Sequence, residues 1–205
     1  MEIVKKEKVK NSLKWSFLLV AFNIISKFLI KIVLAKLLVP KDFGLITICF
    51  IIIPLAEIIS DFGLSSVIIQ KKYKKDLKLL SSIFWFNCFV GVLIFIFLNF
   101  LISPIFSDYY NEPDLTKYIL VISLSLIYNP LILVKRTFLH IDLNFKLIFF
   151  INFAAVFVSS VVAILLALKG YGIWSLVFQY VISTFIVFML YYYFIKWRFL
   201  YYFDF

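Results

Sequence analysis

The chain has 205 residues, 64% hydrophobic and only 16% charged, with a mean hydropathy of +1.06. That balance excludes a water-soluble domain and places the chain among integral membrane proteins. Its net charge of +10 comes without a soluble basic module, so it reads as a topology and anionic-lipid signal, not as a nucleic-acid footprint.

Six apolar runs are long enough to cross about 30 Å of hydrocarbon as helices. They fall at about Trp15 to Leu37, Phe43 to Ile69, Leu79 to Ile102, Tyr118 to Val134, Leu147 to Leu168 and Tyr171 to Ile195. The runs are continuous instead of alternating, which excludes a transmembrane barrel and gives an all-α, six-span bundle in a single domain, residues 1–205. Short connections predict that consecutive spans are antiparallel neighbours. The first run exceeds the apolar core of a signal peptide and is expected to stay as an anchor.

Orientation follows from lysine and arginine. The first tail carries Lys5, Lys6, Lys8, Lys10 and Lys14, the second loop Lys71, Lys72, Lys74, Lys75 and Lys78, the fourth loop Lys135, Arg136 and Lys146, and the last tail Lys196 and Arg198. Only Lys36, Lys41, Lys117 and Lys169 fall on the opposite side, so both termini of this multi-pass chain are expected in the cytoplasm. Trp15, Trp174, Trp197 and Tyr191 to Tyr193 sit near span ends, as interfacial anchors do. Pro40 is expected to stop the first helix and Asp42 to cap the second.

Four charges lie where hydrocarbon is expected: Lys27 and Lys31 in the first run, Glu57 and Asp61 in the second. Each pair is spaced i, i+4 and shares a helix face. A charge at mid-bilayer costs about 2.5–3.5 kcal/mol on insertion scales, so these groups face one another or an aqueous cavity. Asn23 extends the lysine stripe by a turn. Lys27 and Glu57 lie at similar depth on either side of the Pro40 turn, within about one helical turn, and could pair directly.

Two readings follow. In one, Lys27 with Glu57 is a buried ion pair fixing helix registry, while Lys31 and Asp61 snorkel in opposite directions. In the other, Asn23, Lys27 and Lys31 hold an anionic substrate in a hydrated pocket, and Glu57 and Asp61 orient them or carry a coupling proton or sodium ion. Arg136 either extends that positive surface or serves topology alone. Pro54 and Pro130 free backbone carbonyls inside spans two and four, as hinges or as packing kinks.

No catalytic pattern accompanies these charges. His140 is the single histidine and lies in a predicted loop without nucleophile or metal-ligand spacing. Cys49 and Cys88 fall at different depths, which disfavours a disulfide or metal site. Phosphate-loop and dinucleotide fingerprints are missing. A transporter without cofactor or metal is expected, not an enzyme.

Three segments carry a resemblance: Leu38-Val39-Pro40-Lys41-Asp42-Phe43-Gly44-Leu45; Asp61-Phe62-Gly63-Leu64-Ser65-Ser66 through Ile69-Gln70; and Gly170-Tyr171-Gly172-Ile173-Trp174-Ser175-Leu176-Val177. Together the chain resembles the polysaccharide and O-antigen flippases of the multidrug/oligosaccharidyl-lipid/polysaccharide exporter superfamily. The resemblance implies translocation of undecaprenyl-diphosphate-linked sugars for lipopolysaccharide or exopolysaccharide biosynthesis. It implies two six-helix lobes rocking around a cationic cavity, a role Lys27 and Lys31 fit. Such proteins continue for another six to eight helices, so this chain resembles the N-terminal lobe. The expected partners are lipid-linked oligosaccharide, membrane lipids, polysaccharide assembly proteins and a second lobe or a homodimer mate. Two alternatives remain: a cation-coupled drug antiporter of the same superfamily, or a non-transporting fragment or assembly partner.

Overall fold

In hydrocarbon every backbone N–H and C=O must be satisfied within its own segment, so continuous apolar runs become helices. The computed structural model describes residues 2–61, 63–71 and 77–196, and they contain no strand. Lys72, Lys74, Lys75, Trp197 and Arg198, named above as topology or interface residues, lie outside the described residues, as does Phe62.

The elements are α1 (Glu2–Ala35), α2 (Pro40–Asp61), α3 (Leu64–Lys71), α4 (Leu77–Phe97), a π-helical turn (Leu98–Ile102), α5 (Ser103–Tyr110), α6 (Leu115–Ser123), α7 (Ser125–Ile141), α8 (Phe145–Leu168) and α9 (Trp174–Phe194). They build six spans, namely Val9–Ala35, Pro40–Asp61, Lys78–Tyr110, Leu115–Ile141, Phe145–Leu168 and Trp174–Phe194. The all-α class and the six crossings therefore stand.

Span three runs on to Tyr110, past the expected Ile102, and three further differences have a local reason. Pro40 opens α2 instead of merely ending α1: at the first helical position its missing N–H costs nothing and its fixed φ suits the helix. Asp42 accordingly sits inside the first turn of α2, not at its cap. Span two ends at Asp61, not Ile69, because Gly63 adopts φ 74° and turns the chain into α3. Asp61 then serves that turn, its Oδ1 accepting from Ser65 N (3.2 Å) and Ser65 Oγ (3.0 Å).

The third correction concerns span four. It runs on to Ile141, so Lys135, Arg136 and His140 are helical, not parts of a loop. Lys135 is buried, with its ammonium 3.4 Å from the centroid of the Tyr192 ring on α9. The face of an aromatic ring attracts a cation, more so when water is excluded. That contact lets a lysine stay inside the bundle.

Neighbour relations are also not purely sequential. The first span packs chiefly on the fifth, α1 against α8. Trp15 meets Phe149 at 5.4 Å, and Phe22 meets Phe149 and Phe153 at 5.5 and 5.3 Å between ring centroids. Between lipid-solvated helices such van der Waals contact is the main source of association. Span two instead lies against spans three and four through α4, α6 and α7, while α8 and α9 form the most extensive pair.

The largest apolar cluster fills the end of the bundle opposite the termini. It joins Leu34 of α1, Ile46 and Cys49 of α2, Ile119 of α6, Ala163 of α8 and Val177 of α9. Two of the motif segments meet there: Gly172, at φ 53°, lies against Asp42, whose Oδ2 would stand 3.4 Å from any Cβ added to the glycine. Smaller clusters around Phe84 and Tyr191 close the end that carries the termini. Between the two ends the interior is polar.

Candidate functional site

A carboxylate in a low-dielectric interior needs donors, and Glu57 has them. It lies one turn after Pro54 on α2. Its Oε1 accepts from Asn129 Nδ2 at 2.6 Å, from Tyr180 OH at 3.1 Å and, more weakly, from Ser125 Oγ at 3.4 Å. A second link runs beside it, Tyr128 OH to Thr184 Oγ1 at 2.6 Å, with Thr184 donating onward to the Tyr180 carbonyl. One carboxylate oxygen thus ties span two to spans four and six.

The hub stands in the wall of a cleft of about 270 Å³. Asp61 lies one turn further along α2, Asn87 comes from α4, and Pro130 and Arg136 come from α7. Asn87 is fully buried and donates to the Ser60 carbonyl at 3.0 Å, which pins span three to the end of α2. Ser60 Oγ, also buried in the cleft wall, has no hydrogen-bond partner in the structure. A free hydroxyl, two acidic side chains and one guanidinium give the cleft mixed polarity. Chemically it suits water, a proton or a small cation better than an anion.

The structure therefore separates the residues that the sequence groups. Pro54, Glu57, Asp61, Pro130 and Arg136 converge on one cleft. Lys27 and Lys31 do not reach it: both are exposed on α1, while Asn23 is half-buried. No Lys27–Glu57 ion pair forms, because α1 leans on α8 and leaves Glu57 to the donors of α7 and α9. Two ion pairs among the described residues, Lys41 with Glu112 and Lys117 with Asp114, lie at the connections opposite the termini.

Asn129, Ser125 and Tyr180 complete the hub and Asn87 the cleft wall, and residue spacing singles out none of them. Their signal in sequence is faint: a polar side chain inside an apolar run. Asn87 and Asn129 are the strongest such cases, since an amide in hydrocarbon demands partners.

Geometry and composition together define a polytopic helical membrane protein with six spans and a polar interior. Within that class its family is shown by sequence: residues 33–205 match the family described as polysaccharide biosynthesis protein, and the chain belongs to it. It is 32% identical over 151 residues to the lipopolysaccharide biosynthesis protein WzxC of Escherichia coli (strain K12), covering 74% of this chain and 30% of that protein. It is 26% identical over 184 residues to the succinoglycan biosynthesis transport protein ExoT of Rhizobium meliloti (strain 1021), covering 88% of this chain and 36% of that one. An uncharacterized membrane protein in the cps region of Klebsiella pneumoniae shares 37% identity over 91 residues, 44% of this chain and 19% of that protein. The chain spans about a third of the length of WzxC and ExoT, and less of the Klebsiella protein. No solved structure matches it. The motif resemblance to polysaccharide flippases thus holds at the level of family.

Proposed function

We propose that this chain forms one lobe of a transporter that moves lipid-linked oligosaccharide, an undecaprenyl-diphosphate sugar, across the bacterial inner membrane by alternating access. Both termini lie in the cytoplasm, and a second bundle faces the exposed side of α1. Membership of the polysaccharide biosynthesis family supports the substrate class. WzxC and ExoT, the relatives above, bear names from lipopolysaccharide and succinoglycan biosynthesis.

One observation carries the reading furthest. Lys27 and Lys31 are exposed in the second half of the first span and make no ion pair among the described residues. Two ammonium groups facing lipid would each cost about 2.5–3.5 kcal/mol, so that side of α1 borders water or an anion. A diphosphate crossing between two lobes supplies both. Glu57 and Asp61, held apart from the lysines in their own cleft, are proposed to bind the coupling proton or sodium ion. Pro54 and Pro130 are the proposed bending points.

The test is export of surface polysaccharide from cells that depend on the transporter. The Lys27→Ala, Lys31→Ala double variant is expected to insert normally and to lose export, and normal export would sink the reading. A drug antiporter of the same superfamily reverses the pattern: the lysines become dispensable, and Glu57→Gln alone abolishes drug resistance.

A further inference from the structure

A second polar feature lies away from the Glu57 cleft, on the outside of the bundle. Helical hydroxyls in this chain routinely turn back to the carbonyl four residues earlier, as Thr47 does to Phe43 and Thr137 to Leu133. Ser103 does not. It follows directly on the π-helical turn Leu98–Ile102, where its N–H reaches back to Leu98 O, and its hydroxyl is buried without a hydrogen-bond partner in the structure. π turns recur at functional sites because they shift side chains out of the regular register.

Ser103 forms the wall of a groove of about 260 Å³ between spans three and four, together with Asn99, Phe100, Thr116, Lys117 and Leu120. The other donors in that wall are committed. Asn99 Nδ2 gives its two protons to Phe95 O and Ser123 Oγ, and Thr116 Oγ1 donates to Pro113 O. Lys117 spends one proton on Asp114 and keeps the rest for solvent or ligand. What the groove offers is therefore an ammonium at its rim and a free hydroxyl inside.

We propose that this groove binds one anionic glycerophospholipid from the leaflet opposite the two termini. Ser103 opens α5, which ends at Tyr110, so it lies about 10 Å below the end of the span at 1.5 Å per residue, whereas Lys117 stands in the first turn of α6. The headgroup layer is about 5–7 Å deep on each side of the hydrocarbon. Phosphate at Lys117 then places an ester carbonyl where it accepts from Ser103 Oγ, and the acyl chains run down past Phe100 and Leu120, both exposed on the outer surface of the bundle. The site is independent of the transport reading.

Native mass spectrometry of the detergent-purified chain, supplied in turn with phosphatidylglycerol, phosphatidylcholine and sodium phosphate, tests it. One retained phosphatidylglycerol is expected, with occupancy falling about fivefold or more in Ser103→Ala and in Lys117→Gln. Lys146→Gln, near the opposite face, is expected to leave it unchanged. Lys117 is well exposed, so its variant folds even where Ser103→Ala does not. Equal occupancy in wild type and Lys117→Gln overturns the proposal. So does equal retention of phosphatidylcholine, or displacement of the lipid by sodium phosphate, which would make free phosphate the ligand.

Discussion

Glu57 shows what one residue settles within the bundle. Its Oε1 satisfies an asparagine amide and a tyrosine hydroxyl from two other spans. Removing that acceptor leaves both donors stranded, and a stranded buried donor costs about 1–3 kcal/mol. Glu57→Ala is therefore expected to lower the thermal midpoint in detergent. Glu57→Gln, which keeps a carbonyl acceptor of the same reach, recovers most of the loss. Identical midpoints for wild type and Glu57→Ala would show that the hub contributes nothing to stability. That Glu57 is unusual is legible in the sequence, because a carboxylate in an apolar run needs a partner. Its partner is not legible: depth along the chain makes Lys27 as good a candidate as Asn129, and rotation of α1 about its own axis decides between them.

At the scale of the element, the crossing of spans three and four depends on a glycine. Pro130 cannot donate to the Leu126 carbonyl four residues earlier, and Gly91 of α4 approaches that carbonyl closely. A Cβ added at Gly91 would lie 2.6 Å from Leu126 O and 2.9 Å from Pro130 Cγ, whereas one at Gly44 meets nothing within 4 Å. Gly91→Ala is expected to push the helices apart and to destabilise by about 1–3 kcal/mol, the usual range for overpacking. Gly44→Ala, in the exposed second turn of α2, is expected to be neutral or to stabilise by up to about 1 kcal/mol through helix propensity. Thermal midpoints of the two variants check the contrast, and equal shifts would remove the close-contact argument.

The same scale explains which element ends were readable. Each of the six apolar runs overlaps one long helix, because length and apolarity are summed over about twenty residues. Ends depend on single events. Gly63 turning left-handed and the Tyr192 ring accepting Lys135 moved two boundaries by several residues. Neither event leaves a trace in a window average.

For the whole molecule, the two faces of α1 carry the functional argument. Its aromatic face packs on α8, and Lys27 and Lys31 point elsewhere. Cysteines at these two positions, in a background lacking Cys49 and Cys88, are expected to react with a membrane-impermeant thiol reagent. A cysteine at Ile25, about 200° round the helix from Lys27, is expected to stay inert. Failure of both lysine positions to react from either side would mean that lipid, not water, covers the lysine stripe.

The six crossings, the helical class and the presence of misplaced charge belong to the sequence, since each is a sum over local composition that the bilayer reads directly. The motif segments also carry the family, and two of them are now seen to meet, Asp42 against Gly172. Which charges share a cleft belongs to the fold alone. Helix azimuth and non-sequential packing join Glu57 to Asn129 and Tyr180, leave Lys27 outside, and open a groove at Ser103. Those outcomes depend on contacts between residues far apart in the chain, and no local pattern encodes them.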